Sequence, residues 1–169
     1  MAQAPLIVTA DLPPALQSRM DALRRAHFPP ERNFLSAHVT LFHALPPFVE
    51  DEARGLLAQL AGAVAAPAAR LSGVMNLGGG TAFRIDCPAL LDLRAGIAEH
   101  FHGMLTNQDS HPPRLHVTVQ NKVTKDEARA LQVKLEADFR PEDFRFAALS
   151  LHRYLGGPWE AVGRWPFRG

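Results

Sequence analysis

Cysteine is almost absent from this sequence. The 169 residues contain one cysteine, Cys87, so no disulfide can form within the chain. A lone cysteine is typical of proteins from a reducing compartment, and we predict a cytoplasmic location. The opening MAQAPLIVTADLPP has no basic segment followed by a long apolar one, so we expect no signal peptide. No apolar run is long enough to predict a transmembrane helix, and we expect no membrane partner.

An excess of charge of either sign is also missing. The chain has 18 Lys and Arg against 17 Asp and Glu, which gives a net charge of +1 and a pI near 8.1. This balance argues against a protein that binds long nucleic acid, but it is compatible with a small or short anionic ligand. The composition, 47% hydrophobic and 21% charged, is ordinary for a globular protein. We predict a single domain over residues 1–169.

Hydrophobic periodicity and turn residues predict an alternation of strands and helices. A capping box at the start of the last helix is indicated by Thr124 and Glu127. The predicted elements are a strand at 5–10, a helix from Pro13 and Pro14 to 27, a strand at 38–42, a helix at 48–65, strands at 69–77 and 81–87, a helix at 88–105, a strand at 115–120, a helix at 124–139, and strands at 144–155 and 159–167.

Three short sequence features each occur twice, with nearly the same spacing between the two copies. His38 and His116 are 78 positions apart, and so are the LGG triplets that begin at residues 77 and 155. The DEAR tetrapeptides at 51–54 and 126–129 are 75 apart, which a short loop difference absorbs. The spacing predicts an internal duplication in one α+β body whose two lobes are related by a pseudo-twofold axis.

The repeated histidine belongs to a repeated motif, HVTL in the first half and HVTV in the second. Residues two apart in a strand share a face, so His38 and Thr40 should point the same way. His116 and Thr118 should do so in the second strand. An imidazole can give or take a proton near neutrality, and a threonine hydroxyl can donate to a phosphate oxygen. If the lobes face each other, the two motifs can act on one phosphorus atom.

Chance alone predicts about 0.3 His-x-Thr matches in a chain of this composition, so two matches at equivalent positions of a repeat are informative. The alternative is that the repeat preserves two structural histidines, each hydrogen-bonded in the core.

The paired motifs, one in each half of a short duplicated α+β chain, resemble the two-histidine (2H) phosphoesterase superfamily, and within it the bacterial 2′-5′ RNA ligase-like proteins. This resemblance implies a bilobal fold of two antiparallel sheets with flanking helices. It also implies metal-independent hydrolysis of 2′,3′-cyclic phosphodiesters of RNA ends or nucleotides, without a cofactor. The catalytic residues would be His38, Thr40, His116 and Thr118. Two alternatives stay open: a 2′-5′ RNA ligase, and a non-catalytic module that binds nucleotides or RNA ends. We expect a monomer.

Five further residues are candidates for substrate binding. Phe42 and Gln120 continue the motif faces and would line the groove, although an aromatic such as Phe42 more often serves packing. Tyr154 and Trp159 flank the second glycine turn and would either stack on a base or pack. Arg114 precedes the second motif and would contact phosphate, unless it is simply solvated.

The remaining histidines do not predict a metal site. No His or Cys spacing in the chain resembles that of a zinc site. We therefore expect no metal at the histidines considered for this role, which are His43, His100, His102, His111 and His152.

Overall fold

The computed structural model describes residues 3–169, and these form eight strands and four α-helices. The predicted α+β class is confirmed. The strands are β1 (Leu6–Asp11), β2 (Val39–Leu45), β3 (Ala68–Asn76), β4 (Thr81–Asp86), β5 (His116–Gln120), β6 (Glu142–Arg145), β7 (Ala148–Tyr154) and β8 (Trp159–Pro166). The helices are α1 (Pro14–His27), α2 (Glu50–Ala63), α3 (Pro88–His100) and α4 (Lys125–Asp138), with short 3-10 turns at Pro30–Arg32 and Pro47–Val49.

The strands form two antiparallel four-stranded sheets, in the orders β2–β1–β7–β8 and β5–β4–β3–β6. The two orders correspond at their first three positions. Each sheet begins with the strand that carries a motif and continues with the strand that opens the same half. The third strand comes from the other half: β3 lies in the second sheet and β7 in the first. This exchange joins the lobes and confirms the predicted bilobal duplication.

The prediction of one strand over residues 144–155 is wrong. The structure has two strands there, and β6 and β7 belong to different sheets. Between them the chain crosses from one sheet to the other, with the backbone N–H of Phe146 donating to Pro67 and that of Ala147 donating to Asp11. Phe146 is fully buried in this crossover. Because the crossover is as apolar as the strands on either side, the hydrophobic pattern did not reveal the break.

Helix α3 ends at His100, earlier than the predicted end at residue 105. Phe101 still packs into the core, but Met104 is exposed. Gly103 follows with a φ of +85°, a left-handed conformation that glycine adopts without strain and that turns the chain away from the helix axis. The loop that follows leads to the second motif.

Helix α4 begins as predicted. The Thr124 hydroxyl accepts a hydrogen bond from the backbone N–H of Glu127 at 3.1 Å and caps the helix. Within residues 3–169 no helix has the length and apolar character needed to span a membrane.

Candidate active site

A cleft of about 320 Å³ lies between the two motif-bearing strands, β2 and β5. Pockets that hold small molecules typically begin at about this size. The side chains of both motifs line it: His38 and Thr40 from the first lobe, His116 and Thr118 from the second. The fold therefore brings together four residues that are separated by up to 80 positions in the chain.

Both motif histidines are held in the same way. The Nδ1 atom of His38 lies 2.9 Å from the carbonyl oxygen of Ser36, and Nδ1 of His116 lies 2.7 Å from that of Arg114. A carbonyl can only accept a hydrogen bond, so Nδ1 carries the proton in each ring. In each ring Nε2 is then the nitrogen that can exchange a proton with a ligand. In both halves, therefore, the motif histidine is hydrogen-bonded to the carbonyl oxygen of the residue two positions before it, and this contact is a further feature of the repeat.

His38 packs against an aromatic neighbour that comes from the far end of the chain. The rings of His38 and Trp159 have centroids 4.6 Å apart, and Trp159 also packs on His152 at 5.1 Å. The Nε2 atom of His152 is hydrogen-bonded to the Thr9 hydroxyl at 3.1 Å. Neither His152 nor Thr9 was singled out as a site residue from the sequence.

This environment makes His38 a weak base. The pKa of His38 is lowered to about 4, mainly by burial and to a smaller extent by the neighbouring Arg24, His152 and His116, while the hydrogen bond to Ser36 opposes the change. Although the ring keeps part of its surface open to solvent, the groups around it disfavour a positive charge. Near pH 7 His38 is therefore neutral.

A β-bulge at Leu41 reverses the side-chain alternation of β2 just after the first motif. Thr40 and Phe42 pair with two consecutive residues of β1, so Leu41 is an additional residue in the strand. Phe42 consequently points into the core and is fully buried, so it does not line the cleft. The following residue, His43, lines it instead.

The second motif strand has the same irregularity. Thr118 and Gln120 pair with two consecutive residues of β4, so Val119 is the additional residue, 78 positions after Leu41. Gln120 is turned inward and accepts a hydrogen bond from the Thr81 hydroxyl at 2.9 Å. It does not line the cleft, because the bulge rotates it away.

The other three candidates for substrate binding occupy different positions. Arg114 lines the cleft. Trp159 packs against His38, as described above. Tyr154 pairs with Trp159 across the hairpin of β7 and β8, and it is exposed outside the cleft.

A buried carboxylate that no sequence spacing suggested lies in the wall of the cleft. Asp109 is 1% exposed, and it accepts hydrogen bonds at 2.9 Å from the backbone N–H groups of His43 and Ala44. The Nδ1 atom of His43 lies 3.2 Å from the same carboxylate. Burial alone would raise the pKa of Asp109, but the hydrogen bonds from His43 and Ala44 outweigh it and hold the pKa below its usual value. Asp109 is therefore ionised.

Arg94 of α3 was also missed, and it holds this wall in place. It is 4% exposed, and its guanidinium donates to the carbonyl oxygens of Leu41 (3.2 Å) and Asp109. The guanidinium carbon lies 4.2 Å from the centroid of the Phe42 ring. Phe42 thus supports the cleft from below, through Arg94, rather than touching a ligand.

A second buried arginine connects the two motifs. Arg24 of α1 donates to the carbonyl oxygen of Thr118 at 2.9 Å and to that of Leu35 at 3.1 Å. It also donates to the side chain of Asn33 at 3.2 Å. The segment before the first motif is therefore tied to the strand of the second.

Of the further histidines considered for a metal, His43 and His111 line the cleft, whereas the other three do not. His100 pairs with Glu52 at 2.8 Å on the surface, and His152 bonds to Thr9. Among residues 3–169, no group of three or more His, Cys, Asp or Glu side chains is placed to hold a metal ion.

The paired motifs in one cleft can be compared with known families. A family model of the 2′-5′ RNA ligase superfamily matches residues 12–158. The chain belongs to the 2′-5′ RNA ligase superfamily. The match includes both His-x-Thr motifs, Arg24 and the Arg94–Asp109 wall. Members of this superfamily are enzymes, phosphoesterases or ligases.

Solved structures agree with this membership at the level of the fold. TT0787 of Thermus thermophilus is 17% identical, with a TM-score of 0.66 over 98% of each chain. E. coli LigT complexed with 3′-AMP is 17% identical, with a TM-score of 0.59 over 99% of this chain and 100% of LigT. A phosphoesterase crystal structure is 18% identical, with the same TM-score and coverage. No curated protein matches the sequence significantly.

Proposed function

We propose that this protein is a metal-independent phosphodiesterase that hydrolyses 2′,3′-cyclic phosphodiesters of RNA ends or nucleotides. The observation that carries the proposal is the pair of imidazoles in one cleft, each with Nδ1 fixed by a backbone carbonyl and Nε2 left for proton exchange. A threonine hydroxyl accompanies each imidazole. Two proton-transfer groups on either side of one phosphorus supply what an in-line displacement needs. All four side chains come from one chain, which supports action as a monomer.

The two histidines take different roles. His38 is neutral near pH 7, so its Nε2 can accept a proton from water as the water oxygen forms a bond to phosphorus. His116 donates a proton to the ribose oxygen as the bond from phosphorus to that oxygen breaks. The bound phosphodiester is negative, and its charge stabilises the imidazolium that His38 becomes when it accepts the proton. The product is a phosphomonoester, and the pair regains its starting state by exchange with solvent.

The threonines stabilise the negative charge that develops on the non-bridging oxygens of the phosphate. Thr40 and Thr118 line the cleft beside their histidines, and each can donate a hydrogen bond to a non-bridging oxygen. Donors that are already in place cost no reorganisation when the charge appears. This arrangement needs no Lewis acid, so activity should not depend on a divalent ion.

The aromatic rings near the cleft and the ligands of a protein with a similar fold support a nucleotide as the substrate. E. coli LigT, which is similar in fold, has been crystallised with 3′-AMP and with ATP. Here Trp159 lies against His38, and Tyr154 is exposed on the same hairpin. We propose these two rings as stacking surfaces for a base, and Arg114 as a phosphate contact.

A turnover assay tests the proposal. The purified protein is incubated with the four nucleoside 2′,3′-cyclic monophosphates and with short RNAs that end in a 2′,3′-cyclic phosphate, and the products are separated by chromatography. We expect phosphomonoester products, which the His38→Gln, His116→Gln double variant should not form. Joining of RNA ends through 2′-5′ bonds without hydrolysis would instead favour the ligase, and binding without turnover would favour a non-catalytic module.

A further inference from the structure

Basic side chains line the cleft beside the two motifs, although the sequence shows no basic run there. His43, His111 and Arg114 all line it, and His43 contacts Asp109, which precedes His111 by two residues. Among the described residues that line the cleft, Asp109 is the only acid. Its carboxylate is already occupied by two backbone N–H groups and by the side chain of His43. Among these lining residues, no free carboxylate therefore competes with an anion for the basic side chains.

His43 is held on one side and open on the other. Its side chain is 44% exposed, whereas that of Asp109, its partner, is 1% exposed. An ionised carboxylate can only accept, so the proton on Nδ1 of His43 is directed at Asp109. When the ring is protonated, Nε2 remains as its second donor. A surface histidine that contacts only water needs no buried partner. A buried carboxylate that fixes the orientation of the ring is instead typical of a histidine that binds a ligand.

The wall that carries these groups is fixed. The backbone N–H of Asp109 donates to the Thr106 hydroxyl at 3.2 Å, and the Asp109 carbonyl accepts from the buried Arg94. The bulge at Leu41 brings His43, rather than Phe42, onto the cleft side of β2. His43 follows Thr40 by three residues, and because the bulge takes up one of them, it lies roughly 7 Å further along the strand. A phosphate bound there is not the one that lies between the two motifs.

We propose that His43, oriented by Asp109, forms with His111 and Arg114 a second anion subsite, which binds a phosphate next to the scissile one. The inference rests on the proposed function and narrows its substrate class: the preferred substrate carries at least two phosphates. A guanidinium and an imidazolium are both suited to a phosphate, since each donates charge-assisted hydrogen bonds. The second phosphate has two chemical sources, a 5′-phosphate on the same nucleotide or the internucleotide linkage of an RNA end.

Substrates that differ only in the second phosphate test the subsite. Turnover of adenosine 2′,3′-cyclic phosphate is compared with that of its 5′-phosphorylated form and of the dinucleotide ApA ending in a 2′,3′-cyclic phosphate. We expect kcat/KM to be at least roughly tenfold higher for one or both of the latter, the worth of one charge-assisted contact. The substrate that shows the advantage identifies the source of the phosphate.

Two variants assign the effect to the subsite. His43→Gln and Arg114→Gln should each lower the preference ratio, by at least about threefold. His43→Gln keeps the backbone hydrogen bonds to Asp109, and a thermal melt checks its folding; should it fail to fold, Arg114→Gln decides. His102→Gln is the matched control, because His102 is exposed and lies outside the cleft, and the ratio should not change.

Calorimetry separates this proposal from the proposed function. Binding of adenosine 3′,5′-bisphosphate is compared with binding of 3′-AMP, which requires no turnover. Tighter binding of the bisphosphate, lost in His43→Gln, supports the subsite even if none of the cyclic substrates is hydrolysed. Equal turnover of all the cyclic substrates together with equal binding of the two ligands overturns the subsite and leaves hydrolysis intact. A preference that both variants retain also overturns it.

Discussion

Replacing Trp159 with alanine should raise the pKa of His38. The two ring centroids are 4.6 Å apart, and burial is the largest cause that lowers this pKa to about 4. The ordinary pKa of histidine is about 6.5, so the shift corresponds to a free-energy preference for the neutral ring of at most roughly 3 kcal/mol. The actual preference is smaller, because the ring is only half-buried and solvent screens its charge. Water that fills the space of the indole would solvate the imidazolium, so the pKa should move toward its ordinary value.

The expected change in activity follows from the proposed role of His38 as base. With a pKa of about 4, roughly 90% of His38 is neutral at pH 5. With an ordinary pKa, roughly 3% would be neutral at that pH. The ratio of kcat/KM at pH 5 to kcat/KM at pH 8 depends on the fraction of free enzyme in which His38 is neutral. This ratio should be up to roughly thirtyfold lower in Trp159→Ala. An NMR titration of the His38 ring measures the same pKa without turnover.

Controls make this prediction refutable. Trp165→Phe changes the other tryptophan, which packs against the core and not against His38, so the His38 titration should not move. Because Trp159 also packs on His152, the two titrations are assigned with His152→Gln. If Trp159→Ala is folded by circular dichroism and the His38 titration is unchanged, the indole does not set the protonation state of His38.

The remaining predictions concern the proton-transfer pair, metal independence and stability. His38→Ala and His116→Ala should each lower kcat by roughly 10²- to 10⁴-fold. The loss in the double variant should be much smaller than the product of the two single losses, because the two rings act as one unit. Thr40→Ala should lower kcat less, since it removes a single hydrogen bond. Turnover should survive an excess of EDTA, whereas loss of activity that a divalent ion restores would indicate a different mechanism. Arg24→Met leaves three acceptors without their donor and should lower the unfolding free energy by roughly 3–5 kcal/mol, measured by urea denaturation.

The fold was predictable to a large extent because its signals are local or repeated. Helical periodicity, the Thr124 cap and the 78-residue offset require no knowledge of distant contacts, and they led to a duplicated α+β body. The two antiparallel sheets were implied by the family that the paired motifs resemble. The misplaced boundaries lie where the tertiary structure interrupts a continuous pattern. The apolar run through Phe146 passes from one sheet to the other, and the apolar face of α3 extends past its end at His100.

Much of the candidate site was not predictable, and the bulges are the clearest reason. The rule that residues two apart share a face holds only while the register is regular. An additional residue at Leu41 and at Val119 reverses the rule, so Phe42 and Gln120 are buried. For the same reason His43, which the alternation assigned to the opposite face, reaches the cleft. Nothing in the composition of either strand marks a bulge.

The sequence by itself determined the repeated motif, the family it resembles and the presence of one imidazole and one hydroxyl in each half. These depend on residue identity and spacing alone. Only the tertiary structure decided the surroundings of those groups: Trp159 on His38, Asp109 behind His43 and Arg24 between the motifs. Such contacts join residues far apart in the chain, and burial and charge act through space. The protonation state of His38 is therefore a property of the folded protein.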